Sequence, residues 1–244
     1  PVIDEAKLPQ HMYAMLAATA GVTSVSVAGD TVDALPVMIP STKSVFGEAH
    51  YSFTLAPTLG FDHAEATGAA LPANYELAAW APDALLGPAW PAIYAALGSA
   101  IHNDYPVIEG LLNAVHLDHS ITLEYTPEQM LERGITTIDV TSHVAAVDES
   151  SSGRIVTVAL ELKANGEHVG STQERFAIRG RATGNRAPSE AAPFGGAKVE
   201  VVDTPRSVLR RVSVKAPDDM TPFAIVSGDY NPIHTSYAAA KVAG

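Results

Sequence analysis

Apolar positions change their period along this chain. Between residues 82 and 101 they occupy nearly every side of a helix, with Trp90, Ile93, Tyr94 and Leu97 at helical spacing. A helix apolar nearly all round must be wrapped by other elements. Gly87-Pro88 and Pro91 interrupt the run, so a segment broken at both places is expected. Downstream the period falls to two: Val115, Leu117, His119, Ile121 and Leu123 alternate within Leu111 to Tyr125. Ile135 to Val147 is strand-like, Asp148 to Gly153 reads as a polar turn, and Val156, Val158, Leu160 and Leu162 share one face of Ile155 to Lys163. Asn165-Gly166 signals a tight hairpin leading into a β run over Glu167 to Ile178. A buried helix followed by long antiparallel strands predicts an α+β fold, a sheet curled about one helix. Geometry alone permits other α+β folds.

The flanks are less regular. Residues 5 to 20 carry a helical pattern around Met12, Met15 and Leu16, and residues 22 to 46 hold short β-like pieces among Pro, Gly and Asp. Tyr51 to Leu55 reads as a strand and residues 56 to 75 as loop. Residues 181 to 197, rich in Gly, Pro and Ala, make the best linker. Ser207 to Lys215 is strand-like; Asp218-Asp219-Met220-Thr221-Pro222 then starts a helix that Phe223 to Val226 continues. The expected division is a lead-in or upstream linker (1–49), a first unit (50–180), a linker (181–197) and the start of a second unit (198–244).

Composition narrows the function. Of 244 residues, 47% are hydrophobic and 17% charged, enough apolar material for a sizeable core. A net charge of −12 argues against nonspecific nucleic-acid binding. The absence of cysteine removes disulfides, thiolate zinc sites and cysteine nucleophiles, and fits a reducing compartment. With no apolar run of membrane-spanning length and no signal-peptide layout at the N-terminus, a soluble cytoplasmic protein is the expectation.

The chemistry gathers in Phe223-Ala-Ile-Val-Ser-Gly-Asp-Tyr-Asn-Pro-Ile-His234. Gly228 lets the backbone bend, and Pro232 keeps Asn231 out of a helix that the proline itself can start. Asp229 and Asn231 are thus placed on a turn, with His234 in the first helical turn, where it can meet both. A carboxylate and an imidazole held together can move protons in both directions near neutral pH. The same residues would also make a well-capped loop with no chemistry. His116, Asp118 and His119 suggest a metal, but period-two alternation puts His119 on the face opposite the other two. That split favours a structural or interface role, with His119 as a hydrogen-bonded core residue. Trp90, Tyr94 and Leu97 read as core before pocket lining. Arg206, Arg210, Arg211 and Lys215 form a basic cluster, read as a solvated strand edge before a docking stripe.

The stretch at 223–234, followed by Ser-Tyr-Ala-Ala-Ala-Lys-Val-Ala-Gly at 236–244, resembles the motif of the MaoC-like dehydratases and type-2 enoyl hydratases, a branch of the hot-dog fold. Upstream, Pro106-Val-Ile-Glu-Gly-Leu-Leu-Asn-Ala-Val-His-Leu-Asp-His-Ser-Ile121 resembles the noncatalytic half of the dehydratase region of type I fatty acid synthases. The two resemblances cover roughly residue 50 to the end. They imply a double hot dog whose first unit helps shape an acyl pocket and whose second, truncated here, carries catalytic Asp229 and His234, supported by Asn231 and Gly228. The implied reaction removes water from (3R)-3-hydroxyacyl thioesters on an acyl carrier protein or coenzyme A, with neither cofactor nor metal. A fatty acid synthase would supply further domains as partners in an oligomeric, cytoplasmic parent. The competing expectations are a stand-alone (R)-specific enoyl-CoA hydratase and a noncatalytic scaffold segment. The family pattern continues with a His-Gly motif beyond Gly244, so the chain is expected to be part of a longer polypeptide and inactive unaided.

Overall fold

The computed structural model describes residues 2–3, 24–27, 30–33, 47–68, 81–103, 105–108, 111, 114–150, 153–179, 211, 213, 215, 217–229 and 231–243. Its elements in chain order are β1 (Val2–Ile3), β2 (Ser24–Val27), β3 (Asp30–Asp33), β4 (Ala49–Thr54), α1 (Leu59–Ala66), α2 (Asp83–Ser99), β5 (Ile101–His102), β6 (Tyr105–Pro106) and β7 (Ala114–Leu123). There follow α3 (Pro127–Glu132), β8 (Thr137–Ser150), β9 (Gly153–Ala164), β10 (Glu167–Arg179), α4 (Thr221–Ser227), α5 (Pro232–Thr235) and α6 (Tyr237–Ala243).

Six strands form one sheet in the order β1-β4-β8-β9-β10-β7. Only the β1–β4 pair is parallel among its described pairings. Alternation works as the sequence predicts. On β4, Ala49, Tyr51 and Phe53 are buried while His50, Ser52 and Thr54 are exposed. On β9, Val156, Val158, Leu160 and Leu162 point into the core. Helix α2 lies against β4, β8 and β9, and its Leu85, Ile93 and Leu97 are among the most deeply buried side chains. An antiparallel sheet around a buried helix is the hot-dog arrangement expected. At the Asn165-Gly166 hairpin both residues take positive φ (51° and 83°), as a two-residue loop between twisted strands requires.

Local punctuation misleads at three places. Pro88 and Pro91 were expected to break the apolar segment, yet both lie inside a continuous α2. Each proline forfeits one helical hydrogen bond, at a cost of about 3 kcal/mol. Twelve of the seventeen residues of α2 are buried, and each large apolar side chain so placed returns about 1.5–3 kcal/mol. Within the expected loop at 56–75, residues 59–66 form α1, where the Thr58 hydroxyl donates to Asp62 Oδ2 at 2.8 Å. The expected polar turn at 148–153 begins later: Asp148, Glu149 and Ser150 remain in β8, paired with Ile155, Arg154 and Gly153.

The helical pattern at 5–20 and the linker at 181–197 lie outside the described residues. Within Ser207 to Lys215, the described Arg211, Ser213 and Lys215 are not in a strand. The helix start at 218–222 is present. Asp219 Oδ1 accepts the Thr221 N–H at 2.9 Å, and the Thr221 hydroxyl with that N–H holds the Asp219 carboxyl below its usual range. Helix α4 packs against α1 and α2, so α2 has the sheet on one side and α4 on the other. No helix among the described residues is long and apolar enough to cross a membrane.

Candidate active site

The turn after α4 is built by its own side chains. Ser227 Oγ accepts the Asp229 N–H (3.2 Å), Asp229 Oδ1 accepts the Asn231 N–H (3.1 Å), and Asn231 Oδ1 accepts the Ile233 N–H (3.2 Å). Three successive side-chain-to-backbone bonds, each spanning two residues, make the bend a property of the local sequence. Gly228 closes α4 in the left-handed region, at φ 66°. A Cβ there would stand 3.3 Å from the Pro91 ring, and a Cβ on Gly87 would stand 2.9 Å from the Ser227 Cα. Two glycines thus let the turn and α2 meet backbone to backbone.

The turn brings the expected pair together. His234 Nε2, on α5, lies 3.5 Å from Asp229 Oδ2. The carboxylate is buried at 7% exposure, whereas the histidine side chain is 45% exposed. Asn231, also buried, ties the turn to α5 through the Ile233 and His234 N–H groups. One partner comes from far away in sequence: the Tyr94 hydroxyl, on α2, donates to Asp229 Oδ1 at 3.4 Å. Burial pushes the Tyr94 phenol far above its ordinary range, and the Asp229 charge beside it pushes the same way. The sequence placed Tyr94 in the core. It is buried, and it is also a neighbour of the acid–base pair.

A cavity of about 250 Å³ opens beside Asp229. Leu86 and Trp90 of α2 and Phe223 of α4 give it apolar walls, and His116 and His119 add a polar border. Asp229, rather than His234, faces into it. Trp90, expected in the core, therefore lines the cavity as well as packing edge-on to Tyr94. Leu97 is core alone. A wider cleft of about 650 Å³, lined by residues of α1 and α4 with Lys215 and Asp219, contains neither Asp229 nor His234.

The histidine border corrects a prediction. The β10–β7 register shifts between Arg175 and Phe176, so that Arg175 pairs with Asp118 and Phe176 with His116. Leu117 is the extra residue of a bulge. Glu174 and Phe176 are two apart on β10 and share a face, so their partners His119 and His116 share it too. The two imidazoles stack, with centroids 5.8 Å apart and planes at 8°. Asp118 is turned to the other face, where it forms an ion pair with Arg175 that holds its carboxyl below the usual range.

His116 Nε2 lies 2.9 Å from Oε2 of the fully buried Glu174, and the Thr172 hydroxyl donates to Glu174 Oε1 at 2.5 Å. His119 was expected in the core but is exposed, and it bonds Asp83 Oδ1 at 2.8 Å. His116, His119 and Glu174 are of a type and spacing that could hold a metal ion. Both Glu174 oxygens and one nitrogen of each imidazole are already engaged, through His116, Thr172 and Asp83. Of the basic cluster, Arg206 and Arg210 lie outside the described residues, Arg211 is exposed, and Lys215 pairs with Asp218 at 2.7 Å.

Residues 196–244 match the family model of the MaoC like domain. The match covers the turn and supports hydratase or dehydratase chemistry of the MaoC type. Among solved structures, the chain is similar to a MaoC-like dehydratase from Phytophthora capsici, with 14% identity and a TM-score of 0.50, over 83% of this chain and 68% of that one. HtdX of Mycobacterium tuberculosis is similar at 17% identity and a TM-score of 0.49, over 81% of this chain and 67% of that one. The full-length peroxisomal multifunctional enzyme type 2 of Drosophila melanogaster matches at 17% identity and a TM-score of 0.43, over 82% of this chain and 33% of that one. No curated protein matches the sequence.

Proposed function

Taking the MaoC-like stretch as the premise, we propose that the chain supplies the acid–base turn of a 3-hydroxyacyl-thioester dehydratase within a type I fatty acid synthase. The observation that carries this reading is the Asp229–His234 contact, 3.5 Å, beside an apolar cavity. Dehydration takes a proton from C2 of the acyl group. The C2–H electron pair forms the C2=C3 double bond as the C3–O bond breaks, and the departing hydroxyl needs a proton to leave as water. His234 takes the C2 proton, and Asp229 relays that proton across their 3.5 Å contact to the departing hydroxyl, so that water leaves and the pair returns to its starting charge. Because the two side chains are in contact, the reverse assignment uses the same geometry. Charge building on the thioester oxygen needs fixed N–H dipoles. Asn231 and Gly228 hold the turn. The residues in contact carry out both transfers without a cofactor.

In this reading residues 50–180 form a first hot dog that shapes the acyl cavity, and 198–244 begin the second. The acyl group arrives on an acyl carrier protein, and the parent is an oligomeric cytoplasmic multienzyme. A stand-alone (R)-specific enoyl-CoA hydratase is the second reading, since the same turn runs the reaction toward water addition. Full-length protein assayed with (3R)-3-hydroxyacyl thioesters on acyl carrier protein and on coenzyme A separates the two by carrier preference. Asp229→Asn and His234→Ala should each lower kcat by about 10²-fold or more. Unchanged turnover in both would leave the noncatalytic scaffold.

A further inference from the structure

The Asp229 carboxylate divides its two oxygens. Oδ1 accepts from the Asn231 N–H at 3.1 Å and from the Tyr94 hydroxyl at 3.4 Å, while Oδ2 faces His234 at 3.5 Å. We propose that Tyr94 is a positioning residue for this carboxylate, its hydroxyl holding Oδ1 so that Oδ2 stays turned toward His234 and the reacting group. The inference rests on the proposed function and extends it: the helix of the first unit reaches into the site of the second.

Several observations converge on it. Tyr94 and Asp229 are separated by 135 positions, and both are buried, at 8% and 7% exposure. The phenol ring is held by the Trp90 ring, edge-on with centroids 5.7 Å apart. Burial and the adjacent carboxylate keep its proton in place, so it remains a donor at working pH. The close approach at Gly87 and Gly228 brings the turn within reach of α2. A ring that only filled space between α2 and the turn could do so equally well as phenylalanine.

The test is Tyr94→Phe in the full-length protein, alone and combined with Asp229→Asn, with 3-hydroxyacyl thioester turnover as the readout and thermal melting as the check on folding. Loss of a hydrogen bond to a charged group should lower kcat about tenfold to a hundredfold, with KM changed by less than about twofold. In the Asp229→Asn background the second substitution should add less than about twofold, because the group it orients is gone. Wild-type kcat in Tyr94→Phe, or an equal loss in both backgrounds, would overturn the proposal. If Asp229→Asn is inert on its own, the proposed function fails and the positioning role fails with it; if Asp229→Asn is inactive and Tyr94→Phe is inert, only the positioning role fails.

Discussion

Tyr94 carries a consequence for stability that is separate from catalysis. Its phenol is raised above the ordinary value of 10.0 by burial first and by the Asp229 charge second. Below pH 10 folded and unfolded chains both keep the proton, and its contribution is present in full. Above that the unfolded chain releases the proton while the folded one does not, so stability falls by up to about 1.4 kcal/mol per pH unit. The urea midpoint should therefore drop more steeply above about pH 10 in the wild type than in Tyr94→Phe; parallel slopes would contradict the burial. Asp229, Asn231, His234 and Gly228 were legible because one short segment supplies the bend, the caps and the contact. Tyr94 was not: its sequence neighbours say helix and core, and nothing local reports a partner 135 positions away.

At the level of elements, the joint between α2 and the turn is made by missing side chains. A methyl at Gly87 would sit 2.9 Å from Ser227 Cα, which is backbone and cannot swing aside. Gly87→Ala should push the turn off α2, and displacements of about 1 Å at a reacting group can cost about 10²-fold in rate. Turnover assays beside a melting curve would check this, and full activity in Gly87→Ala would show that the turn moves freely. The same helix explains a misreading. Pro88 and Pro91 are strong local breakers, but burial on most of its surface outweighs two lost hydrogen bonds. The hairpin at Asn165-Gly166 was legible because its demand for positive φ is local. The bulge at Leu117 was not, because strict alternation assumes a ladder without extra residues. One inserted position moved His119 onto the face of His116.

Across the whole molecule, the antiparallel sheet around one helix was readable from two periods, one for helix and one for strand. Strand order was not, since pairing depends on which edges remain open after the consecutive hairpins form. β8, β9 and β10 follow one another through tight connections, whereas β7 pairs with β10 across a long stretch of chain and ends at the margin of the sheet. Among the described residues, that places β9 between two neighbours and β7 beside one. Backbone amides of β9 should be the slowest in the sheet to trade their hydrogens for deuterium, and the outward-facing amides of β7 among the fastest. Val115 and Leu117 stand 42% and 41% exposed on that margin. Slow deuterium uptake there would mean that a further segment pairs along it.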